Sequence, residues 1–433
     1  MSIGPELRKS LIYTVLLVAL FRGLALIPVF SVKQSELDTI LANNPLLGAI
    51  DLFAGGNVVS KFSIVGAGIF PVLLATLIVN GASWVVPSLR ELRERGEAGR
   101  KRLEVYSRVL TVGVAFLIAW AITQLLSREI GLLPGKIRWV TWPRFLPSLQ
   151  IIGLFTLGSL LSTAISDLIT KKGVYDGKGV LLIVGVFFSV FSEAPDVIRQ
   201  WGQQGINLPF LAVHAAAGSG AIAISLFLVR STYRVSVQAA SHPAGSGIAS
   251  GRTYIPFRYV YGGVLPVSAA IGSLAIVRIT QEFFAVYVPG GDIARGPVLG
   301  GWVAPDSWWS WVVFALLITA FTYLSNFSLI WAGLSGTGPS VAEELKKRGN
   351  FIPGVRPGRR TEEYLSKVMH RITPVGALAL CVLAVGLPCL VFHLTRQDLT
   401  VLNLSVYVVV QHIDGLWKHV KTQYVHESYS GLL

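Results

Sequence analysis

Ten stretches of about 20 mostly apolar residues recur along this chain, and they constrain its fold more than any other feature. They cover roughly 10–30, 64–82, 106–126, 149–169, 179–199, 208–229, 259–283, 309–331, 374–394 and 401–420. In lipid a backbone must satisfy its own polar groups, so apolar runs of this length read as spanning helices. Between them there is little material for a charged shell. Only 14% of the 433 residues are charged, 52% are apolar and the mean hydropathy is +0.61, whereas soluble proteins carry roughly 25% charge. An ordinary soluble enzyme, a disordered chain and a disulfide scaffold are excluded. The expected fold class is an all-α polytopic membrane protein with ten transmembrane helices.

The net charge of +14 has two physical readings, nucleic-acid binding or the Lys/Arg bias of cytoplasmic loops. Position favours the second. With the N-terminus placed inside, 26 of the 37 Lys and Arg fall on that side. Seven lie between Arg90 and Arg108 and eight between Lys346 and Arg371. Both termini are therefore expected in the cytoplasm. The first apolar run continues past Leu26 to Phe30 without a small-residue cleavage site, so it reads as a span rather than a cleaved signal. Cys381 and Cys389 are eight residues apart in one run. On a helix that is about 12 Å, too far for a disulfide, and both read as packing residues.

The chain divides into an N-terminal half, 1–205, with spans 1–5, and a C-terminal half, 206–433, with spans 6–10. An odd number of spans per half inverts the second against the first, an arrangement common where a path runs between halves. Two segments do not fit a simple span-and-loop plan. Residues 46–63, LLGAIDLFAGGNVVSKFS, are too polar to span and too apolar for a solvated loop. They read either as a re-entrant element sheltered by protein or as an external loop with an interfacial helix. The second is the cytoplasmic stretch 333–372, longer than the loop at about 230–258. It holds an amphipathic helix over 340–348 and then FIPGVRPGRR, whose Pro and Gly residues force an ordered turn that projects Arg356, Arg359 and Arg360. Such a turn is either a docking surface for a large partner or a charge cluster that sets topology.

No catalytic set is visible. The seven histidines are His214, His242, His370, His393, His412, His419 and His426, and none has the neighbours of a metal site, so they read as packing residues. Gly-rich pieces at 245–251 and 336–339 lack the context of a phosphate loop. Asp167, Lys178, Glu282 and Asp414 lie near span ends, and Arg22 is close enough to the outer interface to snorkel there. An inverted-repeat secondary transporter of a small solute would need ionisable or unwound sites at mid-membrane. An intramembrane enzyme would need a nucleophile, a paired acid or a metal set. No cofactor or metal is expected.

Residues 351–373, FIPGVRPGRRTEEYLSKVMHRIT, with AEELKKRGN before them, resemble the cytoplasmic loop between spans eight and nine of the bacterial SecY family. Further likenesses follow in that family's order: GGNVVSKFSIVGAGIFP at 55–71, GEAGRKRLEVYSR at 96–108, DLITKKGVYDGKG at 167–179, RTYIPFRYVYGGVLPVSA at 252–269 and YSGLL at the C-terminus. The resemblance spans essentially the whole chain. It implies the central subunit of a protein-conducting channel, in which two five-helix halves close like a clamshell and no ATPase resides. Unfolded secretory chains would cross, and apolar segments would leave sideways into the lipid bilayer. The implied partners are SecE-like and SecG-like small membrane subunits, the SecA ATPase, the ribosome, and nascent or preprotein clients with signal sequences. The implied location is the plasma (inner) membrane, and a thylakoid or plastid membrane fits the same resemblance.

The resemblance also assigns residues. The plug, at about 46–63, would centre on Asp51, Leu52, Phe53, Ala54, Gly55, Gly56, Asn57, Val58, Val59 and Ser60. The pore ring would be Ile69, Leu73, Leu182, Ser268 and Val408, with Tyr407 the alternative in span ten. The lateral gate, between 64–82 and 259–283, would use Thr76, Asn80, Val260 and Ile276. Partner docking would fall to Arg252, Arg258, Lys346, Lys347, Arg356, Arg359 and Arg360. The chain departs from the family pattern in places. Ser268 and Lys178 stand where isoleucine is usual, Val260 replaces an asparagine, a Gly-Gly-Thr before span ten is missing, and the 231–251 loop is poor in basic residues.

Overall fold

Each apolar run coincides with a helical segment in the computed structural model, which describes residues 5–29, 45–56, 59, 61–94, 97–129, 145–204, 208–239, 253–287, 308–332, 341–347, 349–395 and 400–430. The first half comprises α1 (Pro5–Ala25), a short α2 (Pro45–Ala54), α3 (Phe70–Val85), α4 (Pro87–Glu94), α5 (Glu97–Glu129), α6 (Phe145–Lys172) and α7 (Gly177–Gln204). The second opens with α8 (Leu208–Arg230), β1 (Thr232–Ala239) and β2 (Thr253–Arg258). It continues through α9 (Leu265–Tyr287), α10 (Trp308–Ala332), α11 (Val341–Lys347), β3 (Asn350–Phe351) and α12 (Arg359–Cys381). A π-helical turn, Val382–Gly386, links α12 to α13 (Leu387–Thr395), and α14 (Thr400–Ser430) completes the described chain.

Five of the described helices are long and apolar enough to cross a bilayer, and Phe70–Ser83, Gly177–Ser189 and Leu265–Val277 are shorter apolar helices. Two expected spans begin late. Residues 64–69 are turns, and α3 starts only at Phe70 with Pro71 in its first turn, where the missing N–H costs nothing. Residues 259–264 are likewise non-helical before α9, which has Pro266 as its second residue. Large apolar side chains such as Val15, Leu157, Leu316 and Leu378 lie exposed on the outer faces of their helices. In water such faces would drive aggregation, whereas against lipid tails they cost nothing.

The packing order explains where the interior lies. In the first half α1, α3 and α5 assemble with α6, and in the second α9, α10 and α12 form a layer. Across residue 205, α3 packs against α9 and α7 against α14, with smaller contacts of α5 with α9 and of α1 with α14. The short α2 packs against α3, α7, α9 and α14.

The expected all-helical description is incomplete. β1 pairs antiparallel with β2, Thr232 opposite Arg258, and with β3, Gln238 opposite Phe351, in the sheet order β2-β1-β3. The cause is legible in TYRVSVQA, where Val235 and Val237 alternate inward. With Phe257 they join Val341, Leu345, Ile352, Leu365 and Met369 in a second core, separate from the main one. The two loops are thus one folded unit.

Asn326 of α10 is fully buried and joins three elements. Its Nδ2 donates to Tyr259 O at 2.8 Å and to Thr373 Oγ1 of α12 at 3.1 Å, and its Oδ1 accepts the Tyr261 amide at 2.8 Å. Leucine at this position removes all three hydrogen bonds, at about 0.5–1.5 kcal/mol each. Asn326→Leu is expected to lower the thermal unfolding midpoint of the purified protein. An unchanged midpoint would show that the α9 approach is held by other contacts.

Candidate functional site

The turns at 61–69 position Ile69. Val29 N donates to Phe62 O at 2.9 Å, Ile64 N donates to Ile27 O at 3.0 Å, and Ser159 Oγ of α6 holds Gly68 O at 2.9 Å. Phe62 carries a strained positive φ of 48°, and its ring meets Phe155 edge-on at 4.9 Å. The Ile69 amide donates to Ala54 O at 3.1 Å, linking the end of α2 to the start of α3.

Ile69, Leu73, Leu182 and Val408 are buried in one core cluster, together with Leu52, Phe53, Ala54 and Val59. They come from α7, α14 and the start of α3, three of the helices around α2. Ser268, on the fourth helix, α9, is also buried, and its hydroxyl bonds back to Leu265 O at 3.0 Å. The polar atom that distinguishes it from isoleucine is therefore occupied within its own helix. Tyr407 is buried beside Val408, and its hydroxyl donates to Gly263 O at 2.9 Å, tying α14 to the turn before α9.

Within 46–63, Asp51 through Gly56 and Val59 are buried, while Asn57, Val58 and Ser60 lie outside the described residues. Asp51 Oδ1 accepts the Val59 amide at 2.7 Å, which folds the chain back after α2. Gly56 crosses Gly185 of α7 backbone to backbone, so that a Cβ on either would overlap the other strand of chain. Arg22 does not snorkel outward as the sequence suggested. Its guanidinium turns inward and donates to Gly55 O and Gly56 O at 2.7 and 2.8 Å, because carbonyls at a helix C-terminus attract a cation.

A largely apolar groove of about 420 Å³ lies along the α3–α9 seam, lined by Leu77, Ile78 and Gly81 on one side and by Ala269, Gly272 and Ile276 on the other. Of the three gate positions whose side chains are described, only Ile276 lines it. Thr76 is turned toward α5, where its hydroxyl meets Ser107 Oγ at 3.1 Å. Val260 is buried against Gly376 of α12, before α9 begins. The Asn80 side chain lies outside the described residues.

Beside the sheet, Gly354 and Gly358 take positive φ values of 82° and 103°, which permit the tight turn read from the sequence. Thr361, itself buried, donates its hydroxyl to Arg356 O at 3.0 Å and fixes the turn to α12. Arg356, Arg360, Lys346 and Lys347 are exposed, and Arg359 pairs with Glu363 at 3.6 Å. Arg252 lies outside the described residues. Arg258 is half-buried and acts electrostatically on Tyr175, in the loop before α7. Burial, with the Asp176 and Asp414 carboxylates, pushes the Tyr175 phenol up, so it stays neutral at physiological pH. His412 and His419 pack against its ring at 6.2 and 6.3 Å. No cluster of metal-ligating residues occurs among the described residues.

Sequence reasoning missed Arg22 and Gly185 as contributors to this site. Only Arg22 carried a signal, a lone charge inside an apolar run.

Comparison with known proteins points one way. The SecY family model matches residues 63–413. A protein translocase subunit SecY of Corynebacterium glutamicum is 30% identical over 445 residues, covering 99% of this chain and 97% of the relative. A solved SecY structure, described as having a plug domain that stabilises the closed state and maintains a membrane seal, aligns with a TM-score of 0.62 at 15% identity, over 97% of this chain and 94% of that one. A canine Sec61 channel, solved in a ribosome–channel complex, aligns with a TM-score of 0.58 at 14% identity over the same shares.

Proposed function

We propose a working cycle for a chain that belongs to the SecY family and is a protein translocase channel subunit, not a small-solute transporter. At rest, α2 and the turn after it fill the passage between the halves as a plug. The 1–205 and 206–433 halves carry five spans each, with both termini in the cytoplasm. An unfolded polypeptide enters from that side, displaces the plug and threads the ring of Ile69, Leu73, Leu182, Ser268 and Val408, aliphatic at every position but Ser268. Such a ring excludes hydrated ions by dewetting, yet deforms around any passing side chain. Apolar client segments, signal sequences among them, leave through the α3–α9 groove because lipid favours them.

The observation that carries this reading is a short buried helix lodged among the four helices that bear the expected ring. Solute carriers need ionisable or unwound binding sites, and the ring offers aliphatic side chains instead. No step requires chemistry from this chain. Thrust comes from a SecA-type ATPase or an elongating ribosome seated on the two-loop unit, and the ribosome-bound canine channel supports the second source. SecE-like and SecG-like subunits complete the assembly in the plasma membrane.

Deleting residues 51–60 tests the cycle. The reconstituted channel is expected to conduct ions several-fold more at rest and to pass clients with weakened signals. An unchanged conductance and client range would return the segment to the status of an external loop.

A further inference from the structure

The cycle gives Arg22 no task, although its placement is costly. A guanidinium within a spanning helix is expensive unless paired, and packing alone does not account for one. Here the pairing is specific. Nη1 donates to Gly56 O at 2.8 Å and Nη2 to Gly55 O at 2.7 Å. The guanidinium also lies over the Phe188 ring of α7 at 4.4 Å. Asp51, near the other end of the same turn, acts on it electrostatically.

Both acceptors sit just past the C-terminus of α2, where carbonyls lack intrahelical partners and the helix dipole is negative. Gly55 and Gly56 have positive φ values of 123° and 68°. That conformation swings the carbonyls off the helix axis within reach of the two-pronged group on α1. A fork of fixed geometry grips two adjacent carbonyls, which a single ammonium does less well. With α2 displaced, the same guanidinium would face a wet funnel, where a charge is cheap. The contact is therefore strong when the passage is shut and easily surrendered when it opens.

We propose that Arg22 is a positioning residue, a latch that holds α2 in its resting seat by clamping the carbonyls of Gly55 and Gly56. The proposal rests on the reading of α2 as the plug. Loss of both charge-assisted bonds is expected to raise the share of unseated α2 roughly tenfold or more.

The test compares wild type, Arg22→Met, Arg22→Lys and the 51–60 deletion. Each is purified with its small subunits and its resting ion conductance read in planar bilayers. Arg22→Met is expected to leak toward the level of the deletion and Arg22→Lys to fall between it and wild type. Arg22→Met on the deletion background is expected to add nothing, since the latch then has nothing to hold. A tight Arg22→Met channel beside a leaky deletion would overturn the latch and leave the plug reading standing. Further leakage from Arg22→Met on the deletion background would overturn it too, because the residue then acts on the general fold. A tight deletion would sink the plug reading itself. If Arg22→Met does not assemble, Phe188→Leu removes only the ring beneath the guanidinium. A rise of about two- to tenfold is expected, and no rise would count against the latch.

Discussion

Reversing the charge at Arg356 is expected to cut client export by roughly 30-fold or more, the effect of losing about 2 kcal/mol at a contact built on a paired charge. The folded unit should survive the change. Arg356 is exposed, and the neighbouring structure uses only its carbonyl, which accepts from Thr361. The loss would therefore lie in docking, with membrane levels and thermal stability unchanged. Arg359→Glu offers an internal comparison, since Glu363 already engages that guanidinium at 3.6 Å and less free charge is lost. Export of a SecA-dependent client in cells relying on the variant measures both. Normal export by Arg356→Glu would remove the residue from the docking surface.

The second large effect is expected at Gly185. A Cβ there would meet the Gly55 carbonyl group and the Gly56 nitrogen, all backbone atoms that no rotamer change moves aside. Overpacking of this kind costs about 1–3 kcal/mol, which is roughly a 5- to 150-fold shift from the seated to the unseated position of α2. Gly185→Leu should therefore give a channel that leaks at rest while remaining able to export. Resting conductance beside export rate checks it. A tight channel would mean that α7 yields instead of α2.

The helices were legible because lipid imposes one rule on every span, so length and hydropathy suffice to find them. Inside the site, legibility fell with the fineness of the question. Ile69, Leu73, Leu182 and Val408 were reached through resemblance, since an aliphatic residue on a pore and one on a packing face look alike in a sequence. Thr76 meets a hydroxyl of α5, a neighbour that its polarity does not reveal in the sequence. Val260 lies in a segment that stays non-helical until Leu265, a delay that hydropathy does not show. Arg22 had two outlets within the reach of one side chain, and only the position of the Gly55 and Gly56 carbonyls decides between them. The sheet had a plain alternating signature in TYRVSVQA, obscured when that loop was weighed for its charge alone.

That sheet has a mechanical consequence. Main-chain bonds between β1 and β3 weld two excursions of the chain, about a hundred residues apart, into one stiff handle rooted in α8, α9 and α12. A motor that grips one corner of such a handle turns the whole of it. Torque applied to it would then reach the α3–α9 seam as rotation of a lever, without needing a message to pass from side chain to side chain.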